Sequence, residues 1–262
     1  MTIRANEVKA CCATAYSSEA ARFLLGDRFH PGGAKLTSRL IRALRVGPGD
    51  EIVDVASGLG ASALQAARET GSGVVGVDLA QTSVAAANDA ALAAGLGDRV
   101  RFVVGDAEAL PLDDASVDAA LCECALCTFP DKPRAASELA RVLRPGARLA
   151  VSDITARREH LPVELSGLAA WIACIADARP LDEVADLLTT AGFVVEAVER
   201  HDQALGQMIE RVEARLKAAQ MLGIGIDGLE GRLDDATAIA RSASRAVAQG
   251  DLGYGVVIAQ RR

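Results

Sequence analysis

The chain has 262 residues, half of them hydrophobic, with 28 Lys and Arg against 35 Asp and Glu and a formal net charge of −7. At ~100–200 residues per domain this length bounds one large domain, or one domain with a modest appendage. The acidic balance argues against a nucleic-acid or anionic-membrane surface, and 3% aromatic content argues against a base-stacking platform.

Residues 1–45 read as a helical cap of mixed polar and apolar residues that lies over the front of a sheet formed by the rest of the chain. From 51 onward, strand-like and helix-like segments alternate. The pattern predicts a buried strand over 51–56 (EIVDVA), a helix over 60–70, a strand over 73–79 (GVVGVDL) and a helix over 81–94. A third strand comes next over 99–104, a fourth over 117–122, a helix over 132–143 and a fifth strand over 148–152, with Arg144-Pro145-Gly146 as the break before it. Short connections and buried strands in this alternation are the signature of βαβ units and a parallel sheet covered on both faces. Helices are predicted over 161–176 and 181–191, then a strand over 193–198, helices over 204–222 and 229–249, and a closing strand over 254–259 (YGVVIA). About 50 residues between the last two strands are too many for a hairpin loop and read as a helical insertion. The expected organisation is a cap (1–45), a core (46–203), the insertion (204–250) and a last core strand (251–262).

No stretch approaches the ~20 apolar residues of a membrane span. The opening MTIRANEVKACC lacks a signal peptide's apolar run. The expected address is therefore cytoplasmic, with no membrane partner and no nucleic acid. Thiols stay reduced there, so the six cysteines read as free thiols, ligands or core residues before disulfides.

Residues 54–60 read DVASGLG, at the end of the first predicted strand and the start of the first helix. Glycines there let the backbone turn sharply and approach a ligand closely. Asp78 ends the second strand, where a carboxylate can accept hydrogen bonds from both hydroxyls of a ribose. The nicotinamide fingerprint G-x-G-x-x-G is matched poorly. The set instead resembles the class I S-adenosylmethionine-dependent methyltransferases, whose first motif is an acidic residue followed by G-x-G-x-G. Asp54, Gly58 and Gly60 match, with Ala56 at the first glycine; Asp78, then Gly105-Asp106-Ala107, then LRPGARL follow in order.

The resemblance implies a Rossmann-like α/β sheet in the order 3-2-1-4-5-7-6, mostly parallel with the last strand antiparallel. It implies S-adenosyl-L-methionine as cofactor, with Asp78 on the ribose, Asp106 on the adenine amino group and the Gly58–Gly60 backbone on the methionine part. Ala56, Leu79, Ala107 and Cys122 complete the expected cofactor lining. Tyr16 is expected to face it on the same ground. Gly33, in His30-Pro31-Gly32-Gly33 before a helix, is expected to offer its N–H to the cofactor's carboxylate or to lie near the acceptor.

The residues after the fourth strand read Cys122-Glu123-Cys124-Ala125-Leu126-Cys127-Thr128-Phe129-Pro130-Asp131. A strand continued to Cys124 would put Cys122 and Cys124 on one face. Cys11-Cys12 lie in the cap and Cys174 in the helix predicted after strand five. This distribution resembles the arsenite methyltransferases, a class I subfamily with a Cys-Cys near the N-terminus, a Cys after strand four and another in the helical region beyond. The matching residues are Cys11 or Cys12, Cys124 and Cys174. The resemblance makes Cys12, Cys124 and Cys174 the expected catalytic set, three soft thiolates around trivalent arsenic. No resident metal is expected, since C-x-C-x2-C fits zinc spacing poorly. Cys122 and Cys127 read as packing or support, and cysteine is a common core residue.

The insertion carries no cysteine and departs from the arsenic family, which keeps other acceptors open: sulfide, methanethiol or another small thiol, or a small molecule methylated on carbon or oxygen. An acceptor that must lose a proton needs a base, and the candidates are Glu123, Asp153, His30 and His201. The insertion helices either cover the acceptor or form a homodimer face.

Overall fold

The computed structural model describes Lys9, Tyr16 and residues 18–26, 28–165, 175, 177–223 and 232–262. Its elements, in chain order, are α1 (Glu19–Leu25), α2 (Gly33–Leu44), β1 (Glu51–Val55), α3 (Ala61–Thr70), β2 (Gly73–Asp78), α4 (Gln81–Ala93), β3 (Val100–Val104), β4 (Val117–Glu123), α5 (Lys132–Val142), β5 (Leu143–Ala156), α6 (Leu181–Thr190), β6 (Phe193–Arg200), α7 (Asp202–Leu222), α8 (Leu233–Gln249) and β7 (Leu252–Arg261). The strands form one sheet in the order β3-β2-β1-β4-β5-β7-β6. β1 to β5 pair in parallel, and β7 runs antiparallel between β5 and β6. This is the order and polarity that the family resemblance implies.

Alternation along the strands splits the core in two. Ile52, Val74, Phe102, Leu121 and Ile258 face α2, α3, α4 and the inner faces of α7 and α8. Val53, Val75, Ala120, Cys122 and Leu149 face α5 and α6. The central strands are buried on both faces, which is why they read as unbroken apolar runs. α2 turns Leu36, Thr37, Leu40, Ile41 and Leu44 inward, a helical stripe at i, i+4 spacing. Each of its large apolar side chains removed from water contributes about 2 kcal/mol. The edge strand β6 alternates buried and open positions.

Three differences from the sequence-based expectation have local causes. Arg144-Pro145-Gly146 does not end the ladder. β5 already pairs at Leu143 with Val117, then bulges and resumes at Arg148 with Ala119, and Gly146 at φ +81° absorbs the bend. The helix predicted from residue 161 opens instead as two 3-10 turns, Arg158–His160 and Val163–Leu165. Pro162 between them removes a backbone donor and disfavours helical backbone at Leu161; residues 166–174 and 176 of that prediction lie outside the described residues. β6 runs on to Arg200 because β7 is long enough to pair with it there.

The insertion between β6 and β7 is helical, as α7 and α8, with 224–231 outside the described residues. It is not a free appendage: Leu205, Ile209, Ala243 and Ala246 are buried in the same core as the sheet. No helix among the described residues is long and apolar enough to cross a membrane.

Candidate active site

The carboxyl ends of β1 to β4 open into one cleft. It is bounded by the turn after β1, Asp78 and Leu79, the 105–107 turn, the residues after β4, and Tyr16, Phe29 and His30 from the front. The turn alternates in backbone hand, with Ala56 at φ +59°, Gly58 at +53° and Gly60 at +82°. Such turns aim successive N–H groups into one concavity. The two matched glycines serve different needs. A side chain at Gly60 would run into the Phe102 ring and meet Ala87 Cβ at 3.2 Å, so this glycine lets α3 sit close on the sheet. Gly58 faces open space and donates its N–H to Asp78 Oδ2 at 2.8 Å. The Ala80 N–H holds Asp78 Oδ1 at 2.9 Å, so the carboxylate is aimed before any ligand arrives. Burial raises the Asp78 pKa, against the pull of these amides.

Asp54 lies at the floor. Burial, then the negative charges of Glu123 and Asp78, push its carboxyl well above the ordinary range. Its Oδ2 is buried without a hydrogen-bond partner, as is Ser57 Oγ beside it. Arg28 Nη1, in the same cleft, is likewise buried with no hydrogen-bond partner among the described residues. Buried polar atoms are nearly always paired, so three orphans of both signs in one cleft mark a place shaped for a polar ligand. Glu123 is almost wholly buried. It accepts from Ser62 Oγ at 2.6 Å and Thr37 Oγ1 at 3.1 Å on Oε2, and lies 3.7 Å from His30 Nε2. His30 Nε2 is 3.5 Å from Thr37 Oγ1, and Nδ1 is 3.3 Å from Pro31 O.

Of the expected cofactor residues, Tyr16, Asp54, Ala56, Gly58, Asp78, Leu79, Asp106 and Ala107 line the cleft, and Cys124 lines it as expected of an acceptor residue. Gly60 supports the turn from behind. Gly33 begins α2 at φ +52° and lies outside the lining. Cys122 also lies outside it: its side chain is fully buried in the α5–α6 core, and burial, then nearby carboxylates, push its thiol up. Cys122 and Cys124 do not share a face. The strand ends at Glu123, Cys124 takes left-handed backbone at φ +54°, and its side chain packs against the opposite core layer. Cys127 is buried at a separate hollow. Cys11, Cys12 and Cys174 lie outside the described residues. Among the candidate bases, Glu123 and His30 are in the cleft. Asp153 is taken up by the N–H groups of Cys127 and Ile154, and His201 lies off the cleft against Glu199.

Several cleft residues escaped the sequence reading, Lys9 and Ser62 among them. Lys9 donates to Asp106 Oδ2 at 2.7 Å and Glu108 Oε2 at 2.5 Å; burial works against its charge, but the two carboxylates win and raise its pKa. Its partners are 97 and 99 residues away, and no local pattern announces such a pair. Ser62 was findable: it is two residues past the last motif glycine, in the first turn of a helix that borders the ligand turn.

Fold and cleft together define an open α/β protein with a cleft across the carboxyl ends of the strands, over a glycine turn and an aspartate aimed by backbone amides, the place where such folds bind their ligands. Residues 53–151 match the model of the methyltransferase domain family. The O-methyltransferase cnsE of Penicillium expansum is 30% identical over 87% of this chain and 78% of its own length. An arsenite methyltransferase of Halobacterium salinarum is 32% identical over 58% of this chain and 39% of its own. Among solved structures, the geranyl diphosphate C-methyltransferase of Streptomyces coelicolor superposes with TM-score 0.75 at 19% identity, covering 100% of both chains, a likeness of fold. The chain spans less than half the length of several curated relatives that it matches. It belongs to the class I S-adenosylmethionine-dependent methyltransferases, and S-adenosylmethionine is the cofactor of that family.

Proposed function

We propose that this protein methylates a small organic acceptor on oxygen, with Glu123 taking the acceptor's proton. The observation that carries this reading is the buried Glu123–His30 pair in the cleft, beside the residues after β4. The likeness to an O-methyltransferase, over 87% of this chain, supports it.

The orphaned Asp54 Oδ2 and Ser57 Oγ, the aimed Asp78 and the open face of Gly58 fit the cofactor. Bound there, S-adenosylmethionine supplies an electrophilic methyl group on a sulfonium. Asp78 would hold the ribose hydroxyls, Asp106 the adenine amino group, the Gly58 region the methionine part, and Asp54 its ammonium. Leu79, Ala107, Ala56 and Tyr16 wall it off from water. Methyl transfer then needs an acceptor held close, in line and dehydrated. With the methyl group supplied by the cofactor, Glu123 Oε1, the oxygen that is not bonded to Ser62, would take the proton that the acceptor hydroxyl gives up. Thr37 and His30 hold that carboxylate in place. Phe29, Thr128 and Phe129 give the acceptor side its apolar wall.

A second reading, trivalent arsenic or a small thiol, is favoured by Cys124, whose left-handed backbone turns it out of the strand and into the cleft. The likeness to an arsenite methyltransferase, over 58% of this chain, supports it. In this reading Cys124 is joined by Cys12 and Cys174. In either, the core 46–203 with 251–262 binds the cofactor, and the cap 1–45 covers the acceptor through residues such as Tyr16, Phe29 and His30. The insertion 204–250, which gives the cleft no lining residue among those described, offers the exposed Met221 and Leu222 to a homodimer.

The test is methyl transfer from radiolabelled S-adenosylmethionine to a panel of phenols and aliphatic alcohols, to sulfide and methanethiol, and to arsenite with thiol. O-methyl products that vanish in Glu123→Gln, with calorimetric cofactor binding retained, are expected. Volatile arsines or methyl sulfides lost in Cys124→Ser would replace this reading with the second.

A further inference from the structure

Lys132 is a buried lysine outside the cleft. It is the first residue of α5, whose N-cap Asp131 accepts from the Arg134 N–H and fixes where the helix starts. All three of its ammonium protons have acceptors: Cys127 O at 3.1 Å, Phe129 O at 3.0 Å, and Asp177 Oδ2 in a short contact. Asp177 is buried and also receives Arg158 Nη1 at 3.1 Å. A buried ion pair is a poor way to add stability, because desolvation offsets most of the attraction, and apolar side chains of that size do as well. What this pair adds is placement.

The placed segment is the acceptor wall. Residues 124–129 leave β4 through the left-handed Cys124 and fold into a single 3-10 turn, Leu126–Thr128. On one side the segment is fixed to β5, by the Cys124 N–H on Ser152 O at 2.6 Å and the Cys127 N–H on Asp153 Oδ2 at 2.8 Å. Lys132 is its other anchor. It grips the carbonyls of Cys127 and Phe129, the turn's end, and joins them to Asp177, on the segment after β5. Cys124, Thr128 and Phe129 all face the cleft.

We infer that Lys132, with Asp177, is a positioning residue that sets the acceptor wall and so the choice of acceptor, while leaving the cofactor half of the cleft alone. This rests on the proposed methyl transfer for its kinetic arm but not for its structural one. The variants are Lys132→Met, Asp177→Asn and Lys132→Arg, the last keeping the charge. In Lys132→Met, amide exchange by mass spectrometry should quicken about tenfold in the peptide covering 124–130 while sheet peptides stay as in the wild type. Calorimetric affinity for S-adenosylmethionine should stay within about twofold, and kcat/KM for the best acceptor should fall about thirtyfold or more. Lys132→Arg should recover most of both losses. Where Lys132→Met fails to fold, Asp177→Asn carries the same readings. Unchanged exchange in 124–130, or exchange quickened equally throughout the sheet, would overturn the inference. If the wild type methylates no acceptor, the proposed function fails while the exchange result still decides the role of Lys132.

Discussion

Ala56 and Gly60 occupy the same turn with the same hand of backbone, and only one of them is a glycine. Left-handed backbone costs an L-residue about 1–2 kcal/mol, and glycine nothing. The chain carries that strain at the position where the family motif has glycine. Ala56→Gly should therefore be neutral or stabilise by up to about 1 kcal/mol, since the extra freedom of glycine in the unfolded chain offsets part of the relief. Gly60→Ala should do the opposite. It adds the same strain and drives a methyl group into Phe102 and Ala87, for a loss of about 2–4 kcal/mol. Urea midpoints of the two variants check this. Equal destabilisation by both would mean that the turn is not held in the hand described.

The helices and strands themselves were legible wherever one periodicity ran uninterrupted. β1 and β2, with the helices after them, lie within about a residue or two of their predicted limits because the strands are buried on both faces and glycines mark most of the ends. Tertiary pairing was not legible: β5 begins early because Leu143 pairs with Val117 of β4, and β5 and β6 run on past their predicted ends because β7 pairs with both, and the sequence of either strand alone carries no sign of it. Among the cleft residues, the glycine turn and Asp78 were readable from their places at the strand ends, and Asp54 and Asp106 from the family resemblance. The side on which Cys124 falls was not, because one residue of left-handed backbone overturns the alternation from which a strand's faces are read. α1 shows how far an element can depend on such distant contacts. Seven residues are too few to hold a helix in water. Arg215 of α7 donates to Phe23 O at 3.0 Å and Leu24 O at 2.8 Å, satisfying carbonyls that a helix end leaves open. Arg215→Ala should loosen the contact by about 1 kcal/mol, or roughly fivefold faster amide exchange in the peptide covering Glu19–Leu25. Exchange there matching the wild type would show that Ala20 against Ala219 suffices to dock the helix.

For the molecule as a whole, the acidic balance and the cleft act in one direction. The protein carries −7 overall, and its cleft buries Asp54 beside Glu123 and Asp78. Burial and these neighbours raise the folded-state pKa of Asp54 above its unfolded value. The resulting stability is fully present below the ordinary carboxylate range and is lost as pH rises through the raised folded value. A ligand carrying a sulfonium and an ammonium reverses this, because it favours the ionised carboxylate. Binding should therefore release protons and tighten with pH, so that the thermal shift given by S-adenosylmethionine is larger at about pH 8 than at about pH 5.5. His30 stands in the same cleft, and Asp54→Asn separates the two. With Asp54 replaced, the ligand-free protein should gain stability at the higher pH. Cofactor affinity should drop about tenfold or more through loss of one charge-assisted contact, and proton release measured by calorimetry in buffers of different ionisation heat should shrink. Proton release that persists in Asp54→Asn and disappears in His30→Gln would move the linkage from the floor of the cleft to its front, and with it the place where the cofactor's charge is met.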